Sequence, residues 1–256
     1  MTMIIQDGAY DINKPCVLYE NVFLTGTLTA SSGTGEDAIS GTTWDFWTGA
    51  GASTLEIDIG VSTEVDCLFI DAHNLATVSS NLTFDKWDGA AWVNVETITP
   101  TSDVAIMLVM PNLSATKYRI GATGASIGVV MLGKRLVFPQ GVDQSHTSIQ
   151  HARVYELLGG NSLGGQFTGQ KVIRKSADVG VTFPLLDAAW VDSDMSDFEL
   201  HYNTGQPFAF AARPKDFPDD FGYCQRPDNA GELRPRYYEG GMYEEFTMSI
   251  GVYVNV

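Results

Sequence analysis

The chain has 256 residues, with 15 basic and 31 acidic side chains and a formal net charge of −16. So acidic a chain disfavours binding to the phosphate backbone of nucleic acid, which proteins hold with clustered cations, and nucleic acid is not predicted as a partner. The hydrophobic fraction of 44% argues against disorder, and the 26 glycines indicate many turns between short strands.

The N-terminal segment and the cysteines add further expectations. Residues 1–15 lack the basic start and long apolar run of a secretory signal, so we expect synthesis and folding in the cytosol. The most apolar run, residues 104–110, is too short to span a bilayer, and membrane insertion is not predicted. Three widely spaced cysteines are expected to be buried free thiols: Cys16, Cys67 and Cys224.

From Leu55 onward the sequence has the pattern of short strands. In LEIDIG the apolar residues Leu55, Ile57 and Ile59 alternate with Glu56 and Asp58, as in a half-buried strand. Further β-rich runs follow, separated by Gly, Asn, Asp or Pro: CLFIDAH, LTFDKW, AWVNV, VAIMLVM, KYRIGATG, IGVVMLG and KRLVF. Their lengths and spacing predict a β-sandwich or jelly roll.

The order of these runs carries a family resemblance. TLEIDIG, LFIDAHNL, WDGAAWVNV, KYRIGATG and VVMLGKRLVF, within residues 15–138, resemble galactose-binding-like jelly rolls, the discoidin-like modules that bind sugars or decorate larger assemblies. The resemblance implies a sandwich fold and makes a lectin-like carbohydrate-binding module one alternative for the function. An architecture by itself does not decide between such functions.

A domain boundary is predicted within residues 138–151, where the sequence PQGVDQSHTSIQH is polar and punctuated by Pro and Gly. We therefore expect a galactose-binding-like sandwich at residues 1–140 and a second β-rich domain at residues 141–256. The predicted fold class is all-β.

Two elements of the second domain have clear signals. Ser193 or Asp194 can cap a helix and Gly205 can end it, so one short helix is predicted between them. In the last run, EEFTMSIGVYV, every second residue from Phe246 is apolar, which predicts a strand that ties the C-terminal segment into a sheet.

Residues 183–224 carry a second resemblance. An apolar strand ending in Pro-Leu-Leu, then a Trp, HYNTG, QPFAFAARP and FPDDFGY, is similar to the C-terminal domain of minor tail or baseplate proteins at the tail tip of long-tailed bacteriophages. This resemblance implies a virion structural protein that is assembled in the host cytoplasm. Other tail proteins are its implied partners, with a homo-trimer or hexamer in the assembly and host-surface glycan as a further ligand.

Catalytic motifs fail when their context is considered. Residues 124–128, GASIG, match the nucleophile elbow of hydrolases around Ser126, but the sequence continues as a strand and the elbow needs a helix. Residues 128–134, GVVMLGK, resemble a phosphate-binding loop, yet Arg135 stands where a Ser or Thr is required. We predict no enzymatic activity, no cofactor and no metal site.

The candidate sugar-binding residues are mostly aromatic. Their rings can stack on the face of a sugar, and nearby polar groups can bind its hydroxyls. The alternative for each tryptophan is a role in the core or in anchoring a loop. The candidates are Trp44, Trp47, His73, Asn74, Trp87, Asp88 and Trp92.

A second set of candidates lies in the predicted second domain. Tyr, Trp and Arg are enriched at the centres of protein interfaces, so these residues are candidates for subunit contacts as well as for the core. They are Trp190, Tyr202, Phe208, Phe210 and Arg213.

Overall fold

The computed structural model of the chain describes residues 2–161 and 163–254, with side chains at all of these positions other than 161, 173–176, 238 and 239. Two units are present. The first comprises Met1–Pro139 and Pro207–Phe221, and the second comprises Gln140–Gln206 and Gly222–Val256. The predicted second domain contained 207–221 as well, whereas the structure assigns this segment to the first unit.

Ten strands lie before residue 140, all in the first unit. They are β1 (Thr2–Ile5), β2 (Cys16–Leu18), β3 (Thr27–Ala30), β4 (Trp47–Thr48), β5 (Ala52–His73), β6 (Leu82–Trp87), β7 (Trp92–Ile98), β8 (Ile106–Thr123), β9 (Ser126–Gly133) and β10 (Leu136–Val137). Short 3₁₀ turns lie at Val22–Leu24 and Gly35–Ile39.

The sandwich of the first unit is built around the long antiparallel pair β5 and β8. The sheet order is β4-β9-β5-β8-β6-β7, with β1 on β8 and β3 on β5. The register of β5 against β8 shifts between Asp58 and Thr63, and Gly60 lies in that stretch with a φ of 76°. A left-handed residue that glycine adopts without strain allows the strand to bend there. Two predicted strands, LEIDIG and CLFIDAH, are therefore one strand of 22 residues.

Apolar side chains from both halves of β5 and β8 meet in one core. Leu55 and Leu68 on β5 belong to the same buried cluster as Leu108 and Ile120 on β8. Because neighbouring residues of a strand point to opposite faces, the polar residue Arg119 lies on the outer face while Ile120 points inward. The predicted β-sandwich is confirmed.

The remaining elements follow in chain order. They are β11 (Arg153–Asn161), β12 (Phe167–Asp187), α1 (Ala188–Ser193), α2 (Ser196–Asn203), β13 (Phe208–Ala211), β14 (Phe221–Gln225), β15 (Arg236–Tyr238), a 3₁₀ turn at Glu239–Gly241, and β16 (Tyr243–Val252). In the second unit the strand order is β14-β16-β12-β11, with β15 on β16, whereas β13 pairs with β2 in the first unit. Backbone pairing with β2 explains why residues 207–221 belong to the first unit.

The predicted short helix and terminal strand are both present. The helix is α2, which starts at Ser196 after Met195 and buries Phe198 and Tyr202. It begins slightly later than predicted because a separate helix, α1, occupies Ala188–Ser193. The Asp187 carboxylate caps α1 by accepting the N–H groups of Ala189 and Trp190. Neither helix is long and apolar enough to cross a bilayer, and the described residues contain no other helix that is.

Candidate functional site

Trp44 and Trp47 lie three residues apart before and at the start of β4, in opposite environments. Trp47 is 1% exposed, belongs to the core cluster, and donates a hydrogen bond from Nε1 to the Ser32 carbonyl at 2.7 Å. Its ring is therefore inaccessible to a sugar, which corrects its assignment as a sugar contact. Trp44 is 73% exposed. Among the described residues, none makes a hydrogen bond or ring contact with its indole.

The loop that carries Trp44 is held against β9. Thr42 Oγ1 donates to Asp45 Oδ2 at 2.9 Å, which braces the loop across Trp44. A Cβ at Gly128 would lie 3.1 Å from the Asp45 carbonyl oxygen and 3.2 Å from the Phe46 ring. Glycine at this position lets the loop lie directly on the strand. The fold thus presents the Trp44 ring from a supported loop.

Polar groups from two further segments lie at the same end of the sandwich. Ser126, the first residue of β9, donates its N–H to Asn74 Oδ1 at 2.7 Å, and its hydroxyl lies 2.9 Å from Thr48 Oγ1. Within the described part of the chain, the Asn74 Nδ2 group makes no hydrogen bond, so two donors are available to a ligand. We call Trp44, Asp45, Phe46, Asn74 and Ser126 the loop-end site.

His73 is buried beneath this end and supports it. Its Nδ1 accepts the N–H of Leu75 at 3.3 Å, so Nε2 carries the proton and donates to the Val104 carbonyl at 2.9 Å. Burial lowers the pKa of His73, which keeps the ring neutral. A buried ring with both nitrogens engaged does not bind a sugar, and its assignment as a sugar contact is corrected.

A buried carboxyl group lies on β5 two residues before His73. Burial raises the pKa of Asp71 to about 7, and the N–H of Ala72 donates to its Oδ1 at 2.7 Å. Ala72 has a φ of 50°, an uncommon and strained backbone conformation for a residue with a side chain. The end of β5 therefore holds a carboxyl group that is only partly ionised at neutral pH.

Trp87 and Trp92 lie elsewhere, as a cross-strand pair on the β6–β7 hairpin. Their ring centroids are 5.4 Å apart in an edge-to-face arrangement, and the Arg119 guanidinium carbon lies 4.5 Å from the Trp92 centroid. Both indoles are half-buried. Such ring and cation–π contacts stabilise the hairpin.

The polar partners of this tryptophan pair were not predicted from the sequence. Asp85 Oδ2 accepts from Arg119 Nε at 2.7 Å, and Asp85 Oδ1 accepts from Asn94 Nδ2 at 2.9 Å. A register shift between Phe84 and Asp85 brings the three together on one face. The one available signal was the polar Arg119 between the apolar Tyr118 and Ile120. We call Trp87, Trp92, Asp85, Asn94 and Arg119 the hairpin platform.

Asp88 forms the turn of the same hairpin. Its Oδ1 accepts the N–H groups of Ala91 and Ala90 at 2.7 and 2.8 Å, and these bonds lower the pKa of Asp88. The carboxylate therefore shapes the turn between β6 and β7. The structure places Asp88 beside the hairpin platform and away from Asn74, so the candidate sugar contacts divide into two groups.

The candidate subunit contacts of the second unit are Trp190 and Tyr202. Tyr202 is buried and donates its hydroxyl to the Ser249 carbonyl at 2.7 Å, so its side chain is inaccessible to a partner. This corrects its assignment as an interface residue. Trp190 lies on α1 and is half-buried.

The other three candidates lie in the first unit. Phe208 and Phe210 on β13 are fully buried, which removes them from any subunit contact and corrects that assignment. Arg213 is exposed, and its guanidinium carbon lies 4.5 Å from the centroid of the Phe217 ring. Arg213 is thus the one accessible residue among these three candidates.

The motifs that resembled catalytic sites have ordinary structural roles. Ser126 begins a strand, not the helix that a nucleophile elbow requires. Among the described residues, no group of three or more His, Cys, Asp or Glu is arranged to hold a metal ion. The three cysteines are buried, as predicted.

Comparisons with known proteins were made for the whole chain. No protein-family model and no curated protein matches it. A solved chitosan-binding module 1 from a chitosanase/glucanase of Paenibacillus sp. IK-5 is 21% identical, with 44% of this chain and 98% of that chain covered and a TM-score of 0.37.

Two further solved structures are carbohydrate-binding modules. One is a Clostridium perfringens module in complex with GalNAc-β-1,3-galactose, 14% identical over 46% of this chain and 99% of that chain, with a TM-score of 0.38. The other is the module of AlyQ in complex with 4,5-unsaturated mannuronic acid, 21% identical over 45% of this chain and 96% of that chain, with a TM-score of 0.35. At these scores the likeness assigns neither a ligand nor a site residue to this chain.

Proposed function

We propose that the first unit binds carbohydrate through the loop-end site. The observation that carries the proposal is the Trp44 ring, which is 73% exposed on a loop braced by Thr42 and Asp45. The neighbouring Phe46 ring is exposed as well, and two exposed rings beside the polar groups of Asn74 and Ser126 form a surface suited to a sugar. The candidate tryptophans other than Trp44 contact protein side chains or the core.

The chemistry of the loop-end site suits a sugar. A pyranose has an apolar C–H face, which packs on an indole, and a rim of hydroxyl groups, which need donors and acceptors. Asn74 Nδ2 supplies donors, and Asp45 supplies a carboxylate that Thr42 engages through one oxygen. The arrangement thus supports binding through ring stacking and hydrogen bonds.

The test is binding of the full chain to an array of neutral, amino-sugar and uronic-acid oligosaccharides. The wild-type chain is expected to bind at least one class. Trp44→Ala should weaken that binding by at least about tenfold, which corresponds to about 1.4 kcal/mol, and Trp44→Phe should retain part of it.

Leu24→Ala is the matched control, since Leu24 is an exposed apolar residue of the same unit outside the loop. Its binding should equal that of the wild type. Absence of binding to every class, or unchanged binding by Trp44→Ala, contradicts the proposal.

A second proposal is a structural role at the tail tip or baseplate of a long-tailed bacteriophage. Two observations support it: the sequence resemblance of residues 183–224, and the exposed apolar side chains of β11 and β12. Under this proposal the chain works in the virion, alongside other tail proteins and as a trimer or hexamer. A glycan-binding first unit would then contact the host surface.

Mass spectrometry and antibody labelling of purified particles test the second proposal. The chain should be found in the particle at the tail tip. Particles that lack it and keep intact, infectious tails would contradict the structural role, while leaving the sugar-binding proposal to its own test.

A further inference from the structure

The β11–β12 hairpin extends beyond the sheet of the second unit. β12 pairs with β16 only from Ala177 onward, so residues 167–176 of β12 pair with β11 alone. Among the described strands β11 is also the edge of this sheet, so one row of its backbone groups has no neighbouring strand there. We call the two-stranded part, residues 153–161 and 167–176, the arm.

Apolar side chains are exposed on both faces of the arm. Alternate residues of β11 point to opposite faces, so Val154 and Leu158 share one face while Tyr155 and Leu157 share the other. Leu158 is 65% exposed and Phe167 is 91% exposed. Isolated two-stranded ribbons are marginally stable in water, and exposed apolar edges promote pairing with another chain. The arm therefore has the character of a surface that is covered in an assembly.

The charge of the arm differs in sign from that of the rest of the chain. Residues 151–176 hold four basic side chains (Arg153, Lys171, Arg174 and Lys175) and one acidic side chain (Glu156), a formal charge of +3 with His neutral. The whole chain carries −16, which leaves −19 outside this segment. A basic, apolar arm on an acidic chain is electrostatically complementary to another copy of that chain.

The helical segment of the second unit offers the complementary surface. Residues 187–199 contain five carboxylates and no basic residue. Burial, and then the charges of Asp192 and Glu199, raise the pKa of Glu244, which shows that carboxylates crowd one another here. Leu200 in α2 is 66% exposed beside them. We call the five carboxylates with Leu200 the acidic helical surface.

We propose that the arm of one copy packs on the acidic helical surface of a second copy. Lys171 pairs directly with Leu158 in the arm, so both side chains lie on one face, where Lys171 would contact the carboxylates and Leu158 would cover the exposed Leu200. Arg153 lies on the other face and adds to the basic charge of the arm. The proposal concerns the second unit and stands apart from sugar binding by the first.

The size of the arm agrees with a contact between copies. Nine residues per strand span about 30 Å, and two strands are about 10 Å wide, so one face offers about 300 Å². With an equal area on the acceptor, one arm buries about 600 Å². Reciprocal exchange of two arms buries about 1,200 Å², the lower end for a specific interface.

The first experiment measures the mass of the full chain by light scattering and sedimentation over a concentration series. The wild type should associate, and its apparent Kd should rise with salt. Leu158→Ser with Phe167→Ser should raise the Kd by at least about tenfold. Both residues are exposed, so the unfolding transition of each variant should match that of the wild type.

A charge exchange tests the acceptor surface. Arg153→Glu with Lys171→Glu, and separately Asp192→Lys with Asp197→Lys, should each weaken self-association by at least about tenfold. An equimolar mixture of the two double variants should associate again, because the unchanged basic arm of the acceptor variant then meets the unchanged acidic helical surface of the arm variant. Lys14→Glu with Lys215→Glu, which changes the net charge by the same amount as the arm variant, should associate like the wild type.

Three results would overturn the proposal. They are a wild-type chain that stays monomeric at about 100 μM, an oligomer that arm variants do not weaken, and a mixture of charge variants that fails to reassociate.

Discussion

The loop-end site and the hairpin platform both present tryptophan at the surface of the first unit, but their rings differ in what they contact. In the hairpin platform, Trp87 packs edge-to-face on Trp92, and Arg119 covers the Trp92 ring. In the loop-end site, the described residues make no hydrogen bond, aromatic or cation–π contact with the Trp44 ring, although the loop beneath it is held by Thr42 and Phe46.

The carboxyl groups of the two regions differ in the same way. Asp85 of the hairpin platform is paired with Arg119 at 2.7 Å. Asp71, at the end of β5 near the loop-end site, has one N–H donor and a pKa raised by burial to about 7. Groups with satisfied partners stabilise the fold, whereas an exposed ring on a supported loop is available to bind. The following substitutions test whether the partnered groups stabilise the fold and whether the exposed Trp44 ring does not.

The largest effect is expected at Trp47. Trp47→Ala removes a fully buried ring and its hydrogen bond to Ser32, so the free energy of unfolding should fall by about 3–5 kcal/mol. Urea denaturation of both proteins measures this loss of unfolding free energy. A loss below about 1 kcal/mol would mean that this ring is less embedded than the structure shows.

The second effect concerns the pH dependence at Asp71. Its folded pKa of about 7 lies above the ordinary value of 3.8, so the folded state binds this proton more tightly. Stability should therefore fall as pH rises from about 4 to 7 and stay low above it. Asp71→Asn keeps an oxygen for the Ala72 N–H and removes the titration. The free energy of unfolding of Asp71→Asn, measured relative to that of the wild type, should be about 2 kcal/mol larger at pH 8 than at pH 5.

The titration of His73 changes stability with pH in the opposite direction, so its contribution must be separated from that of Asp71. Burial lowers its pKa, so its contribution to stability is lost as pH falls below 6.5. Because His73 is the same in both proteins, the difference between wild type and Asp71→Asn at each pH isolates the carboxyl group. A difference that does not change between pH 5 and 8 would show that Asp71 titrates as an exposed acid.

Asp85→Ala should have a smaller effect, confined to the hairpin platform. It leaves Arg119 and Asn94 without their acceptor, at an expected cost of about 1–2 kcal/mol. Glu64→Ala is the control, because its pair with Lys134 is exposed at both residues and should contribute less than the contacts of Asp85. Equal losses of unfolding free energy in the two variants would show that the contacts of Asp85 contribute no more than an exposed ion pair.

The smallest change in stability is expected for Trp44→Ala. An exposed ring without described partners contributes little to folding, so the free energy of unfolding should stay within about 0.5 kcal/mol of the wild type. Thermal unfolding checks this. A loss above about 1 kcal/mol would show that Trp44 packs on the protein, and that the loop-end site lacks a free ring.

Much of the fold follows from patterns of two-residue alternation. Leu55 and Ile57 in β5, and Phe246, Met248 and Ile250 in β16, point inward as the alternation predicts. The pattern could not show that two predicted runs form the single bent strand β5, because the bend depends on pairing with β8. Helix α1 had a local signal, Asp187 before two alanines, but the strong strand pattern up to Leu186 obscured it.

The candidate site was less predictable than the fold. Trp44 and Trp47 lie in an irregular segment, where a spacing of three residues gives no information on which ring is buried. Arg119 was predictable as an outward residue of β8, but its contact with Asp85 depends on strand order and on the register shift at Phe84. Burial of both faces of β13, with Phe208 and Phe210 on one face and Ala209 and Ala211 on the other, likewise depends on a pairing with β2 that no local pattern reveals.

The most direct measurement is a calorimetric titration of the full-length wild type, Trp44→Ala and Trp87→Ala with the oligosaccharide class that binds best on the array. Trp44→Ala is expected to bind at least about tenfold more weakly than the wild type, while Trp87→Ala, once folded, binds normally. The reverse result, with binding lost in Trp87→Ala and kept in Trp44→Ala, would place the sugar on the hairpin platform and contradict binding at the loop-end site.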